Sequence, residues 1–354
     1  MAQGMDANQS PRILITRLSA IGDCILTMPV ACAIREAFPN AYIAWMTQGA
    51  GATFLHNHPA VDEVIKVPKG WLKSPREVLK LRKQLRQKNF DWTVDAQSLT
   101  KSAMGGWLSG CKNRVGFARG QGRELAPVLN NIRIKRTADH VVDAYLQLLE
   151  PLGITSPTAQ FSFPRDADAE QFVADHLLSA GVREPFVVLN PGAGWPSKVW
   201  PAERYADVAK FIGTQFNLPS VVVWAGGEEK EWAELISSKS DGHCELAPST
   251  TLSQLAAMLR KGCMFVGSDT GPLHMAAAVG TPCIGMYGPT MPSDCGPYGE
   301  QHVSVQAFYQ DGTGKERRRG PNTAMCAITV EMVTNACDEV LSNRLHLPKQ
   351  SHAA

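Results

Sequence analysis

Residues 266–278 read VGSDTGPLHMAAA, and this stretch decides the fold class. An apolar run ends near Gly267, a turn with glycine and proline follows, and small apolar residues then continue as a helix. A strand that leads through such a turn into a helix is typical of β-α-β units with parallel sheets. The free amides at the amino end of this helix suit a pyrophosphate.

The same alternation extends along the chain and predicts an α/β protein with two Rossmann-like domains. The first is expected to have strands near 12–17, 41–47, 62–67, 91–95 and 114–117, and helices near 23–38, 76–89 and 139–151. The second is expected to have strands near 186–190, 220–225, 264–268 and 282–287, and helices near 202–216, 229–239, 252–261 and 271–280. Ligands of open parallel sheets bind at strand carboxyl ends, so we expect both sheets to face an interdomain cleft.

A length of 354 residues suits two domains, each with its own core. We place the first at 1–170 and the second at 171–328, with a linker-like polar stretch at 153–168 near their junction. Residues 329–354 form a final helix, a candidate to pack back on the first domain, and a tail.

The composition excludes several classes of protein. Hydrophobic residues make up 44% of the chain and charged residues 19%, which fits neither a disordered nor a membrane-spanning protein. Nine cysteines without CxxC spacing signal neither a disulfide framework nor a zinc site. Because residues 1–11 lack the layout of a secretory signal, we expect a cytoplasmic protein.

Charge is distributed unevenly along the chain. The net charge is +2, but residues 1–150 hold 20 Lys and Arg against 12 Asp and Glu, whereas the remainder holds 15 against 21. Much of the excess follows residue 73, in a segment that includes Arg76, Lys80, Arg82, Lys83 and Arg86. An anionic partner would be attracted to the first half, although each single cation is as well explained by a solvated helix face.

The first strand-to-helix turn reads RLSAIGD over residues 17–23. It has one glycine and lacks the GxGxxG spacing of a dinucleotide site, which disfavours NAD. Asp23 stands at the start of a long helix. Its carboxylate either caps the helix or serves as a general base, and spacing alone leaves both open.

Three turns of the second half carry candidate ligands of a nucleotide. Lys198 lies in NPGAGWPSKVWP (190–201), where a cation could meet a diphosphate, and Glu229 follows the next strand, where a carboxylate can accept bonds from ribose hydroxyls. Asp269 should repel phosphate, so it caps the helix or binds sugar hydroxyls. His274 either reaches a phosphate or is structural.

These motifs resemble those of the ADP-heptose:lipopolysaccharide heptosyltransferases, which are inverting enzymes of the GT-B fold. Residues 17–23 with LTMP (26–29) are similar to the opening motif of that family, and KVWP (198–201) is similar to its donor-site lysine motif. DTGPLHMAAA (269–278), GTP (280–282) and YGPT (287–290) resemble its carboxyl-terminal signature. The resemblance covers roughly residues 12–341.

The resemblance implies a role for each matching residue. Asp23 is the expected catalytic base, and Lys198 is expected to stabilise the departing nucleoside diphosphate. The first domain is expected to bind the acceptor and the second the nucleotide-sugar donor. The donor-binding candidates are Glu229, Asp269, Thr270, Gly271 and His274, and the acceptor-binding candidates are Arg17, Ser19, Ala20 and Gly22.

The implied reaction is inverting transfer of heptose from ADP-heptose to an anionic, lipid-linked acceptor of the lipopolysaccharide inner core, at the cytosolic face of the inner membrane. Neither a metal nor a redox cofactor is expected, and nucleic acid is not an expected partner. Two alternatives stay open: a nucleotide-dependent oxidoreductase, and a nucleotide-sugar binding protein without activity. The basic segment with Lys315, Arg317, Arg318 and Arg319 matches no family element, and it is either disordered or in contact with the acceptor.

Overall fold

The computed structural model describes residues 10–345 and divides the chain into two compact units, Met1–Pro164 and Arg165–Ala354. The predicted division after residue 170 falls inside the first helix of the second unit, α7 (Ala167–Ser179). Asp166 caps this helix by accepting the Ala169 N–H at 3.1 Å. The helix packs within the second unit, so the division precedes it.

The first unit is a six-stranded parallel sheet in the order β3-β2-β1-β4-β5-β6. The strands are β1 (Arg12–Thr16), β2 (Tyr42–Thr47), β3 (Glu63–Lys66), β4 (Trp92–Asp95), β5 (Asn113–Phe117) and β6 (Ile132–Ile134). The helices are α1 (Ile21–Ala37), α2 (Gly51–Leu55), α3 (Pro75–Arg86), α4 (Thr100–Ser109), α5 (Ala126–Leu129) and α6 (Val141–Gln147). Short 3₁₀ helices cover Trp71–Lys73 and Glu150–Leu152.

The second unit is also a six-stranded parallel sheet, in the order β12-β11-β10-β7-β8-β9. Its strands are β7 (Val187–Asn190), β8 (Ser220–Val222), β9 (Cys244–Leu246), β10 (Met264–Ser268), β11 (Cys283–Tyr287) and β12 (Val303–Gln306). Its further helices are α8 (Ala202–Phe216), α9 (Gly227–Lys239), α10 (Leu252–Lys261), α11 (Gly271–Ala278), α12 (Pro292–Cys295), α13 (Gly314–Arg319), α14 (Thr323–Ala327) and α15 (Val330–Leu345), with a 3₁₀ helix at Pro196–Lys198. Two parallel sheets with helices confirm the predicted α/β fold class.

Sequence periodicity missed several elements, among them α4, the short helices α2, α5, α12, α13 and α14, and three edge strands. The sequence of α4 contains Gly105 and Gly106, which disfavour a helix by propensity. Here they let the helix approach the sheet, because a Cβ at Gly106 would lie 2.7 Å from Thr93 Oγ1 and one at Gly105 only 2.4 Å from Met46 Cε. The missed strands β6, β9 and β12 stand at sheet edges and have three or four residues, too few for a clear pattern.

The final helix α15 packs in the second unit, on α8, β11 and β12. Val333, Cys337 and Leu341 recur every four residues and are fully buried in the core of this unit. The sequence analysis offered packing on the first domain as a candidate, and the contacts described here place the helix in the core of the second unit. Residues 346–354 of the predicted tail lie outside the described residues.

No helix among residues 10–345 combines the length and the apolar composition that crossing a bilayer requires.

Candidate active-site residues in the two units

The carboxyl edge of the second sheet brings Lys198 and Asp269 into contact. Strands β7 and β10 are neighbours, with Asn190 opposite Gly267, so the segments that follow them meet. Lys198 Nζ donates to Asp269 Oδ2 at 2.5 Å and to the Asp269 carbonyl at 3.1 Å. Both side chains are buried. Sequence reasoning selected both residues but did not predict this ion pair.

The Asp269 carboxylate has several further donors. His274 Nε2 lies 3.1 Å from Oδ1, and Oδ2 accepts from Thr290 Oγ1 at 2.8 Å and from Cys295 Sγ at 3.7 Å. Burial favours the neutral acid, but the bond from His274 and the charge of Lys198 outweigh it and hold the pKa of Asp269 well below its usual range. Asp269 is therefore a fixed negative charge at neutral pH.

Helix α11 begins directly after this ion pair. Its N-cap is Thr270, whose hydroxyl donates to the Ser268 carbonyl at 3.1 Å, so the capping role considered for Asp269 is wrong. The first backbone hydrogen bond within the helix runs from the His274 amide to the Thr270 carbonyl. The Gly271 amide precedes it and therefore has no intrahelical acceptor. Such an amide at the positive end of a helix can bind an anion.

His274 is buried on the same helix. Its Nε2 faces Asp269, whereas its Nδ1 is buried without a hydrogen-bond partner among the described residues. Both alternatives for this residue remain compatible with these contacts, since the Asp269 bond is structural and Nδ1 is free for a further partner.

Glu229 is the third residue of α9, the helix that follows β8. Its Oε2 accepts the Ala225 N–H at 2.8 Å, and its carboxylate lies over Gly192, where a Cβ would come within 2.5 Å of it. Burial raises the pKa of Glu229, assisted by the charge of Glu228 and opposed by the Ala225 bond. Glu229 thus lies beside the loop that carries Lys198.

The first unit forms a second ion pair, in the loop after β1. Arg17 Nη2 lies 2.6 Å from Asp23 Oδ1, and Arg17 Nη1 donates to the Ala96 carbonyl at 2.7 Å. Burial opposes the charge of Arg17, but Tyr145 and Asp23 outweigh it and raise its pKa above the usual range. The Arg17 side chain is 7% exposed and that of Asp23 is 45% exposed, so the carboxylate remains accessible.

Asp23 fulfils one of its two proposed roles in the helix itself. It is the third residue of α1, and its Oδ2 accepts the N–H of the N-cap residue Ala20 at 3.0 Å. This bond ties down the helix start, as the capping hypothesis requires. Since the side chain is still accessible, the bond leaves the general-base hypothesis open.

The loop that holds the acceptor-binding candidates depends on residues that sequence reasoning missed. Gln97 accepts the Leu18 N–H at 3.0 Å and donates to the Ser19 carbonyl at 3.3 Å. Lys101 Nζ donates to Ser19 Oγ at 3.3 Å. Gly22 is buried as the second residue of α1. Gln97 and Lys101 follow β4, the neighbour of β1, so only the strand order reveals their role.

Buried Asp95 holds the turn that follows β4. It ends β4 and accepts from the Ser98 N–H and from Asn130 Nδ2, both at 2.9 Å. Burial is the main cause of its raised pKa. A lone Asp at the end of the apolar run WTVD was the available sequence signal.

The described residues 10–345 contain no cluster of three or more His, Cys, Asp or Glu side chains arranged for a metal ion.

Two six-stranded parallel sheets of this topology, with polar residues at their carboxyl edges, are the architecture of the GT-B fold. The chain belongs to glycosyltransferase family 9, the heptosyltransferase family, whose model matches residues 78–323. This confirms the resemblance found in the sequence and identifies the protein as a glycosyltransferase enzyme. It argues against the oxidoreductase alternative.

Individual relatives agree with the family. The lipopolysaccharide core heptosyltransferase OpsX of Haemophilus influenzae is 28% identical over 316 residues, which cover 87% of this chain and 88% of the relative. A family 9 glycosyltransferase structure from Veillonella parvula aligns with a TM-score of 0.79 at 22% identity, covering 96% of this chain and 99% of that one. The E. coli heptosyltransferase WaaC, solved with ADP, aligns at 0.74 with 24% identity, covering 93% and 99%. The roles assigned to single site residues stay predictions.

Proposed function

We propose that this chain transfers heptose from ADP-heptose to an anionic, lipid-linked acceptor of the lipopolysaccharide inner core. The observation that carries the proposal is the buried group of Lys198, Asp269 and His274 at the amino end of α11. There, a fixed cation and a free backbone amide suit the diphosphate of a sugar nucleotide. The names of the relatives supply the sugar and the acceptor class.

The reaction is a single inverting displacement. Asp23 takes the proton of the acceptor hydroxyl as the oxygen of that hydroxyl bonds to the anomeric carbon. The bond from this carbon to the diphosphate breaks, and its electron pair leaves with ADP. Lys198 and the Gly271 amide offset the charge that develops on the departing group, so the mechanism uses neither a metal nor a redox cofactor.

Further residues position the two substrates. Glu229 binds the donor ribose at the end of β8, and Thr270 and His274 border its diphosphate. The Asp269 carboxylate contacts the side chains of Lys198 and His274 and holds both side chains in place. On the acceptor side, Arg17 fixes Asp23, and residues 19–22 form the loop that the acceptor approaches.

The proposal includes peripheral contact with an anionic membrane surface on the cytosolic side. Helices α3, α4 and α5 pack side by side, and their outer surface exposes Leu79 by 62%, Trp107 by 52% and Val128 by 64%. Cations accompany these apolar groups, and a groove of about 260 Å³ is lined by Arg82, Arg86, Arg114 and Trp107 together with Leu108 and Gly110. Apolar side chains among cations are typical of surfaces that bind anionic lipid.

A transfer assay tests the function. The protein, ADP-heptose and a heptose-free lipopolysaccharide acceptor should yield ADP and an acceptor heavier by one heptose, detected by mass spectrometry. ADP-glucose and a guanosine-linked sugar replace ADP-heptose in the control reactions. Turnover of another donor in preference to ADP-heptose, or ADP release without a modified acceptor, would contradict the proposal.

A vesicle assay tests the membrane contact separately. Replacing Arg82 and Arg86 by Gln should weaken binding to phosphatidylglycerol vesicles by about 30-fold, at about 1 kcal/mol per cation. The control is the double variant Lys230→Gln, Lys239→Gln, which removes two exposed cations of α9. Equal losses of vesicle binding in the two double variants would show that only net charge matters. That result would contradict the assignment of membrane contact to this surface.

A further inference from the structure

The basic segment without a family match forms helix α13 and is anchored beside Lys198. Thr313 and Glu316 begin the helix with reciprocal bonds of 3.3 and 2.7 Å. Ser197, in the 3₁₀ helix that contains Lys198, donates to the Arg317 carbonyl, and α13 packs on this 3₁₀ helix. Arg317 Nη1 donates to the Pro289 carbonyl at 3.2 Å and to Tyr309 at 3.1 Å. The segment therefore has a defined place in the second unit.

Trp195 brings a cation of this segment close to Lys198. Lys198 Nζ lies 4.1 Å from the centroid of the indole ring, and Arg318 Cζ lies 5.1 Å from the same centroid. Both distances are within the range of cation–π attraction. The ring thus holds a lysine and an arginine at one position next to the amino end of α11.

The two cations differ in their partners. The charge of Lys198 is balanced by Asp269, which is buried with it. Arg318 is exposed and has no carboxylate oxygen within 4.0 Å among residues 10–345. Glu229 adds a further carboxylate beside the Lys198 loop. Asp269 therefore offsets part of the charge that Lys198 presents to a diphosphate, and Arg318 is a second cation beside the same ring whose charge no carboxylate among the described residues offsets.

We infer that Arg318 binds the diphosphate of the sugar nucleotide, with Trp195 positioning it beside Lys198. A guanidinium presents several donors in a fixed plane and suits phosphate oxygens. Its charge also offsets the charge that the diphosphate gains as the sugar leaves. This inference rests on the proposed function and assigns the basic segment to the donor rather than to the acceptor.

Calorimetric titration of the full chain with ADP, AMP and adenosine tests the inference. Arg318→Gln should weaken ADP binding by about 10-fold or more, the value of a lost charge-assisted bond, and leave adenosine binding unchanged. The loss of AMP affinity should lie between the losses for ADP and for adenosine. Arg319→Gln removes the exposed cation next in the same helix and should change ADP binding by less than about 2-fold, as expected for a solvated charge. Arg318→Lys should recover part of the loss.

Two results would overturn the inference. An equal loss for adenosine and ADP would show that Arg318 acts by packing on Trp195 and not on phosphate. Unchanged ADP affinity with a raised KM for the acceptor would assign the segment to the acceptor. Failure of the proposed function looks different, because the unaltered protein would then bind no ADP at all. Thermal unfolding of each variant confirms that the fold is kept.

Discussion

Each unit places an ion pair beside the carboxyl edge of its sheet, but the two pairs differ in their exposure to water. Arg17 and Asp23 lie 2.6 Å apart, and the Asp23 side chain is 45% exposed. Lys198 and Asp269 lie 2.5 Å apart, and the Asp269 side chain is 6% exposed. The chemical groups are alike, so the difference in hydration sets what each pair can do.

Water reaches the Asp23 carboxylate and is largely excluded from the Asp269 carboxylate. Asp23 keeps contact with solvent, so an incoming hydroxyl can reach it. Asp269 is surrounded by donors in a poorly solvated place, where interactions between charges are stronger and removal of one partner leaves the other uncompensated. In the proposed reaction the pair in the first unit therefore takes the role of proton transfer, and the pair in the second supports the leaving group.

Asp269→Asn should have the largest effect, because it strands Lys198 as a buried cation. Loss of one partner of a buried pair costs about 3–5 kcal/mol in the free energy of unfolding. Urea unfolding measures this loss. The control is Asp241→Asn, which breaks the exposed 3.1 Å pair with Lys210, where Asp241 is 71% exposed. That change should cost less than about 1 kcal/mol. Similar losses for both variants would refute the contrast between buried and exposed pairs.

Asp23→Asn should lower kcat by about 10²- to 10⁴-fold, the usual contribution of a general base. The amide oxygen can still accept the Ala20 N–H, so the helix start and the unfolding midpoint should be almost unchanged. Steady-state kinetics and ADP titration separate the outcomes. A parallel loss of ADP affinity would mean that the residue shapes the donor site instead, and normal turnover would leave only the capping role.

The stability of the second pair should depend on acidity. The pKa of Asp269 is lower in the folded protein than in the unfolded chain, so the carboxylate stabilises the fold above the unfolded value of about 3.9. This contribution is lost as pH falls below that value toward the folded pKa. Unfolding curves at a series of acidic pH values should therefore fall more steeply for the natural protein than for Asp269→Asn. Parallel curves would show that Asp269 does not carry the effect.

Glu229→Gln should have the smallest effect. It should slightly raise the stability of the fold and weaken the binding of adenosine. Because burial raises the pKa of Glu229, its ionised form opposes folding at neutral pH, and the amide should slightly raise the thermal midpoint. The gain should vanish below the unfolded value of about 4.3. Adenosine should bind about 10-fold more weakly, because a bond from a ribose hydroxyl to a charged acceptor is lost. Unchanged adenosine affinity would remove Glu229 from the donor site.

The sequence predicted elements that are continuous along the chain. Alternating apolar runs and helical segments were enough for two parallel sheets, whereas the roles of the site candidates, Asp23 above all, rested largely on the family resemblance. Contacts between loops could not be predicted from the sequence, because Lys198 contacts Asp269 only through the pairing of β7 with β10. Gln97 supports Leu18 for the same reason, through the pairing of β1 with β4.

Local composition misled where tertiary contacts prevailed. Gly105 and Gly106 argued against a helix, yet they are what allows α4 to approach Thr93 and Met46. The run of basic residues at 315–319 matched no family element, whereas the structure shows it as a helix anchored by Ser197 and Trp195. In both cases the deciding partner lies far away in the sequence.

The indole of Trp195 also gives the protein an optical reporter. Two cations lie within about 5 Å of the ring, a range at which charge and aromatic ring interact. A phosphate bound by either cation should alter the local field at the ring and therefore the emission of this tryptophan. The chain has eight tryptophans, so subtraction of a Trp195→Phe spectrum isolates the signal. Occupancy of the proposed diphosphate site should thus be measurable by intrinsic fluorescence, without a label on either substrate.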